Sequence, residues 1–389
     1  MSNIKLSSIG YLIVIIGLFL YSFTQVDLSL TLSRWSVWQI IQKYFQHIGY
    51  FQRPLSAFLY VAVILLLYIF YFLFLSKAYS NKISKRQVWF LIISVSIILA
   101  FSYNAFSYDL FNYIFDAKII TYYQQNPYIH KALDYPGDPM LSFMHWTHRA
   151  YPYGPIWLLL TVPLSFLGFK IFLLTFFLFK FLMAISFIGT VFFIGKILKK
   201  ISPQYELFGI VFFALNPLVI IESLVSAHND IVMMFFAILS IYLFMNNKYA
   251  RSLLLLILSI GVKFASAILI PIFIASYFFR KYSWEKITLL ITIGMITTIV
   301  VASIRTNFQP WYLLYALPFA ALLARKYFIL IPSLVITFFS LLQYAPFIYL
   351  GNWNPPVPMI LSYLTNSSIL LSLLIVIVWF SKRLLVRKV

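Results

Sequence analysis

Ionisable side chains are scarce in this chain, and those that interrupt apolar stretches mark where chemistry could occur. Asp109 and Asp116 lie in Asp109-Leu-Phe-Asn-Tyr-Ile-Phe-Asp116, where positions 109, 112, 113 and 116 share one face of a helix. Held at a membrane surface, a carboxylate on such a face can act as a base. The plainer reading is that both aspartates only charge the early turns of the helix. Asn216-Pro217 opens the backbone of a later apolar run, which carries Glu222 and ends in His228-Asn229-Asp230. Ionisable groups at such depth usually face a polar cavity, although Asn229 or Asp230 would serve equally well as a helix N-cap. One histidine beside one aspartate is weak support for a metal. Lys263, in Gly261-Val-Lys-Phe-Ala-Ser, and Arg305, in Arg305-Thr-Asn-Phe-Gln-Pro-Trp-Tyr312, are cations that together could hold a phosphate. Lys180 stands alone in a long apolar run and reads as a snorkelling lysine.

The elements that must position these residues are membrane spans. Of the 389 residues 63% are hydrophobic, 20% aromatic and only 10% charged, against roughly 25% charged residues in soluble domains. The fold class expected is an all-α polytopic bundle. The absence of cysteine rules out disulfides, thiolate metal sites and a cysteine nucleophile. Runs long enough to cross the bilayer need roughly 17 to 25 residues. They occur near 8–24, 54–76, 87–105, 154–195, 205–226, 231–246, 251–279, 287–304, 311–324, 327–349 and 360–381, for about 11 to 13 spans when short and broken helices are included. The first run lacks a cleavage site and is read as a span. The whole chain, 1–389, reads as one transmembrane domain, with 106–153 a large loop punctuated by proline.

Orientation follows from the basic residues. Of the 29 lysines and arginines, nineteen fall in segments that can share one side: Lys5, Lys77 to Arg86, Lys196 to Lys200, Lys248 and Arg251, Arg280 to Lys286, Arg325 and Lys326, and Lys382 to Lys388. By the positive-inside rule both termini are cytoplasmic. The net charge of +20 therefore marks cytoplasmic loops, and no nucleic-acid partner is expected. This arrangement requires 251–279 to enter and return as two short helices meeting near Gly261-Val262-Lys263. It also requires 154–195 to make one crossing plus a partial helix, with a break at Gly168-Phe169-Lys170. Seven of the nine acidic residues then sit at or near the outer side: Asp27, Asp109, Asp116, Asp134, Asp138, Glu222 and Asp230.

The sequence has no Walker loop, no dinucleotide fingerprint, no nucleophile elbow and no H-E-x-x-H. A different set of motifs occurs in order along residues 100–320. These are Tyr108-Asp109, Gln125-Asn126-Pro127-Tyr128, Tyr153-Gly154-Pro155, Asn216-Pro217 with His228-Asn229-Asp230, the lysine stretch at Gly261, and Gln309-Pro310-Trp311-Tyr312. The order resembles that of the multi-spanning GT-C glycosyltransferases, especially the polyprenyl-phosphate-mannose-dependent mannosyltransferases related to mycobacterial α-1,6-mannosyltransferases.

That resemblance implies inverting transfer of a hexose, mannose by preference, from a polyprenyl phosphate to a lipid or glycan acceptor, with no nucleotide and no metal cofactor. It implies a cell-envelope enzyme of a prokaryotic plasma membrane, working on the outer face among membrane lipids. Asp109 then takes the acceptor's proton. Arg305, Lys263 and His228 hold the leaving phosphate, and Tyr108, Asn112, Asp116, Tyr153, Asn229 and Asp230 hold sugar or acceptor. Two rivals remain: a transporter or lipid flippase, which the broken helices would also suit, and a ligase for lipid-linked glycans.

Overall fold

The computed structural model describes residues 2–278, 283–324 and 326–386. Arg280, Lys281, Arg325, Arg387 and Lys388, used in the charge count, lie outside the described residues, as do the side chains of Lys382 and Arg383. Every regular element described is helical, and one isolated antiparallel bridge joins Lys131 to Ala150.

The helices run in chain order as α1 (Ser2–Ser22), α2 (Ser36–Phe51), α3 (Arg53–Tyr79), α4 (Lys85–Ala100), α5 (Asp109–Thr121), α6 (Pro155–Leu167), α7 (Phe172–Ile201), α8 (Glu206–Ala214) and α9 (Pro217–Ile220). They continue as α10 (Asp230–Met245), α11 (Tyr249–Val262), α12 (Leu269–Phe278), α13 (Trp284–Thr306), α14 (Leu317–Leu322), α15 (Tyr327–Leu342), α16 (Tyr344–Leu350) and α17 (Val357–Val386). Among the described residues, six helices are long and apolar enough to cross a membrane, and the bent pair around Asn216-Pro217 makes a seventh. Shorter apolar helices at 155–167, 230–245, 249–262, 264–278 and 310–322 complete the bundle. The candidate site residues read from the sequence, Arg305 apart, lie on or beside the short and broken elements. The amphipathic α2 was not anticipated from the sequence, because its apolar positions are too few for a span.

Both expected breaks occur. Lys263 separates α11 from a 3-10 turn, Phe264–Ile268, and α12. Gly168 to Ile171 separates the short α6 from the 30-residue α7. The Lys263 break meets the start of α6 in space: the Gly154 amide donates to the Val262 carbonyl at 3.3 Å. A β-carbon on Gly154 would run into the Gly261 carbonyl, and one on Gly261 into Ile156, so both positions require glycine for close approach. The turn Tyr153-Gly154-Pro155 is thereby fixed against the tip that carries Lys263.

At Asn216-Pro217 the chain bends by 55°. Proline removes an amide donor, and Asn216 caps the restarted helix by accepting from the Leu218 amide at 3.0 Å. The Tyr71 hydroxyl of α3 donates to the Phe212 carbonyl at 2.7 Å. Every residue from Gly209 to Met234 is buried. This segment packs against α7, α3 and α14, a setting in which irregular backbone at membrane depth is tolerated.

The side-sharing read from the charges agrees with the contacts. Lys77 reaches Ser7 at 3.1 Å, Lys85 pairs with Glu206, Lys200 with Asn246, Lys326 with Glu285 at 2.5 Å, and the Tyr79 and Tyr327 hydroxyls meet at 3.2 Å. Segments assigned to one side are thus tied to each other at one end of the bundle.

Candidate active site

Asp109 is the first residue of α5, with Tyr108 before it at the N-cap. Its amide donates to Ser107 Oγ at 3.2 Å, which leaves the carboxylate free to turn inward. Leu110, Phe111, Ile114, Phe115, Ala117 and Ile119 are buried, so α5 is seated in the protein. From its polar face Asp109 and Tyr113 reach the end of the broken span, at His228 and Asn229.

That end is built by an unusual piece of backbone. Ile221–Val225 forms a π-helical turn, a feature often found at functional sites, and Ala227 follows with φ +59°. A left-handed alanine is strained. It folds the chain back so that the His228 amide donates to the Glu222 carbonyl at 3.0 Å. Two carbonyls left open where the turn ends, those of Leu224 and Val225, accept from the Lys180 ammonium, at 2.9 Å for Val225. Lys180 also reaches Ser102 Oγ at 3.1 Å. Its side chain is 1% exposed, so it is not a snorkelling lysine; it closes the π turn from α7.

His228, fully buried, is sandwiched between carboxylates. Nδ1 lies 3.5 Å from Asp109 Oδ2, and Nε2 lies 3.3 Å from Glu222 Oε2. These are ion-pair contacts without well-aligned hydrogen bonds, since both ring nitrogens lack a hydrogen-bond partner by geometry. The ring stacks on Trp311 with centroids 4.1 Å apart and planes 19° apart. Glu222 Oε1 accepts from the Tyr344 hydroxyl at 2.8 Å. His228 lies in the connection 226–229, outside the spanning segments. Burial there works against its charged form, but Asp109 and Glu222 outweigh it and raise the imidazole pKa to about 9.

A second group adjoins the first. Lys263 Nζ donates to Asp230 Oδ1 at 2.7 Å and stands over the rings of Tyr312 and Tyr315. Asn229 occupies the N-cap position of α10 but makes no side-chain cap; instead its Oδ1 accepts from the Tyr113 hydroxyl at 3.3 Å. Tyr113 and Tyr153 meet edge to face at 5.2 Å. Burial, then the charges of Asp109, Asp116 and Asp230, raise the Tyr153 hydroxyl well above its ordinary pKa. Burial and the neighbouring Asp109 charge raise the Asp116 carboxyl in the same way. Asn112 Oδ1, Asn229 Nδ2, Asp230 Oδ2 and the Ser223 and Ser226 hydroxyls are buried without hydrogen-bond partners among the described residues. Such a concentration of unmet polar atoms is the mark of a functional site.

Asp109, Asp116, Tyr153, His228, Asn229, Asp230 and Lys263, all selected from the sequence, thus belong to one polar centre; Asn112 lies in α5 between Asp109 and Asp116 with its Oδ1 buried. Tyr108 adjoins Asp109 but lays its ring on His145 at 3.9 Å. Arg305, in the last turn of α13, is exposed, and no described hydrogen bond or ion pair ties it to this centre. Sequence reasoning left Glu222, Tyr113, Trp311 and Tyr344 out of the site. The first three carried a signal, as a carboxylate in an apolar run, a residue on the polar face of α5 and part of a motif. Tyr344 carried none.

The family model MptA_B_family, described as alpha-(1->6)-mannopyranosyltransferase, N-terminal domain, matches residues 8–279. The chain belongs to this family. No curated protein and no solved structure matches it. It is therefore a glycosyltransferase of a mannosyltransferase family, built as a membrane-embedded helical bundle. The matched segment holds Asp109, Glu222, His228, Asp230 and Lys263, and ends before Arg305, Trp311 and Tyr344.

Proposed function

We propose that this mannosyltransferase takes mannose from a polyprenyl phosphate and passes it, with inversion at the anomeric carbon, to a lipid or glycan acceptor on the outer face of a prokaryotic plasma membrane. Its termini are then cytoplasmic. The observation that carries this reading is the Asp109 carboxylate, 3.5 Å from His228, with the Lys263 tip in the adjoining group. An acceptor hydroxyl is a poor nucleophile and must lose its proton as the oxocarbenium-like transition state forms. Asp109 takes that proton on Oδ1, while Oδ2 faces the imidazole. The bond from the anomeric carbon to phosphate oxygen breaks as the acceptor oxygen bonds to the opposite face. The leaving group is already a phosphate anion, so it needs cations and not a general acid.

Of the three groups assigned to that phosphate, Lys263 fits best, because its ammonium sits at a broken helix tip with the side chain 23% exposed. Arg305 would meet the phosphate from the lipid side. Both ring nitrogens of His228 face carboxylates, so His228 acts on Asp109 instead. Tyr153, Asn112, Asn229, Asp230, Asp116 and Tyr108 supply hydroxyl, amide and carboxyl groups for sugar and acceptor. The prenyl chain needs an apolar seat. An open groove of about 410 Å³ lined by Ala57, Leu342, Ala345, Pro346, Tyr349 and Ile360 begins one residue from Tyr344, whose hydroxyl touches Glu222. The reading calls for no nucleotide and no metal.

The test is to incubate membranes containing the chain with radiolabelled polyprenyl-phosphate mannose and a panel of lipid and glycan acceptors. Label should pass to one acceptor class. Transfer from a soluble nucleotide sugar in membranes stripped of lipid-linked sugar would overturn the donor assignment.

A further inference from the structure

We infer that Glu222 is a positioning residue for Asp109, acting through His228, which it grips from the far side of the ring. The inference rests on the reading of Asp109 as the base.

A carboxylate buried at 0% exposure in a span is costly unless its environment is built for it, and here the environment is elaborate. Lys180 secures the carbonyls at the end of the π turn that carries Glu222. Tyr344 fixes one oxygen at 2.8 Å, and the other faces His228 Nε2 at 3.3 Å. A left-handed alanine is tolerated at position 227 in turning the histidine towards it. None of this is needed merely to fill space, for which leucine or glutamine would serve.

The effect on Asp109 follows from how the ring is held. The groups facing His228 are Asp109 from α5, Glu222 from the π turn and the uncharged face of Trp311, while Asp230, two residues on, is already paired with Lys263. Held from both sides, the ring keeps one nitrogen directed at Asp109 Oδ2, and Glu222 supports that contact from behind. Replacing Glu222 by a neutral residue leaves Asp109 as the sole counter-ion. The imidazolium becomes easier to deprotonate, and its hold on Asp109 weakens.

Glu222→Gln separates these effects by pH. The alkaline limb of the kcat profile, where His228 gives up its proton, should move to lower pH by about one unit, the scale on which a single nearby charge acts. At neutral pH kcat should fall about tenfold as Asp109 loses its fixed position, with KM for the donor little changed. Glu222→Asp should recover part of the shift. Tyr344→Phe removes only the hydroxyl that steadies Glu222, and should move the alkaline limb by less. It keeps the test usable if Glu222→Gln inserts poorly. A loss of activity that is uniform across pH, with the alkaline limb in place, would make Glu222 a structural residue and overturn the inference. So would wild-type profiles for Glu222→Gln and Tyr344→Phe together. If these profiles are unmoved while Asp109→Asn is inactive, this inference alone fails. Full activity in Asp109→Asn would remove the base reading itself.

Discussion

Asp109→Asn keeps the size of the side chain and its hydrogen-bonding capacity but cannot take a proton. A positioned general base contributes about 10² to 10⁴ in rate, so the barrier should rise by about 3 to 5 kcal/mol. The stability cost should be much smaller. His228 retains Glu222 as its partner at 3.3 Å, and the Asp109 side chain is already 18% exposed. The lost contact is therefore worth about 1 kcal/mol. The assay pairs transfer of radiolabelled mannose with thermal melting of the detergent-extracted protein and with retention of the labelled donor. The expected result is a collapse of transfer with melting and donor binding almost unchanged. Asp116→Asn is the internal control. The Asp116 carboxyl makes no described hydrogen bond or ion pair, and burial together with the Asp109 charge favours its neutral form, which asparagine mimics. It should retain most activity. An active Asp109→Asn beside an inactive Asp116→Asn would move the base two turns along α5. Two active variants would refute the mechanism.

The topology predicts that cysteines replacing Ser142 and Asn352 react with an impermeant thiol reagent on intact cells, while one replacing Ser84 does not; labelling of Ser84→Cys would invert the orientation. Arg305→Ala should weaken use of the donor by a charge-assisted contact, about 1.5 to 3 kcal/mol, read as a rise in KM with melting unchanged, and an unchanged KM would remove Arg305 from the site. Lys180→Met should lower the melting temperature, because it leaves two buried carbonyls without donors at about 1 to 3 kcal/mol each; wild-type melting would show that the π turn does not depend on it. Gly154→Ala should cost about 1 to 3 kcal/mol and shift Tyr153 and Lys263, seen as lower stability together with lower transfer.

The sequence conveyed the parts of this molecule that depend on local or one-dimensional rules. Apolar runs marked the helices, and proline and glycine marked the breaks at 168–171, 217 and 261–263. Basic loops assigned to one side include the ends that meet in the Lys85–Glu206 and Lys326–Glu285 pairs. Asp109, His228, Asp230 and Lys263 were legible because charge is rare in such a chain and each stood near a break. Other features depended on pairings that no spacing encodes. Lys180 looked like a snorkelling residue because its partners, the carbonyls of Leu224 and Val225, lie 44 and 45 residues away and belong to the main chain. Glu222 was visible as a carboxylate in an apolar run, but its role depends on Tyr344, 122 residues on.

The difference between Glu222 and Asp230 shows why counting charges cannot finish the task. Both are fully buried acids within one polar centre. Asp230, at the first residue of α10, gains from the helix N-terminus and from Lys263, so its charge is met twice by cationic groups. Glu222 is met by one hydroxyl and by an imidazole that a second carboxylate also claims. In a low-dielectric interior an acid so incompletely compensated is retained only if the shared histidine does something that a neutral side chain would not. The plainest such task is to hold the His228 ring from the side opposite Asp109, in the orientation that aims its Nδ1 at Asp109 Oδ2. A carboxylate whose partner ring is fixed at both nitrogens is itself fixed in place, as a general base must be.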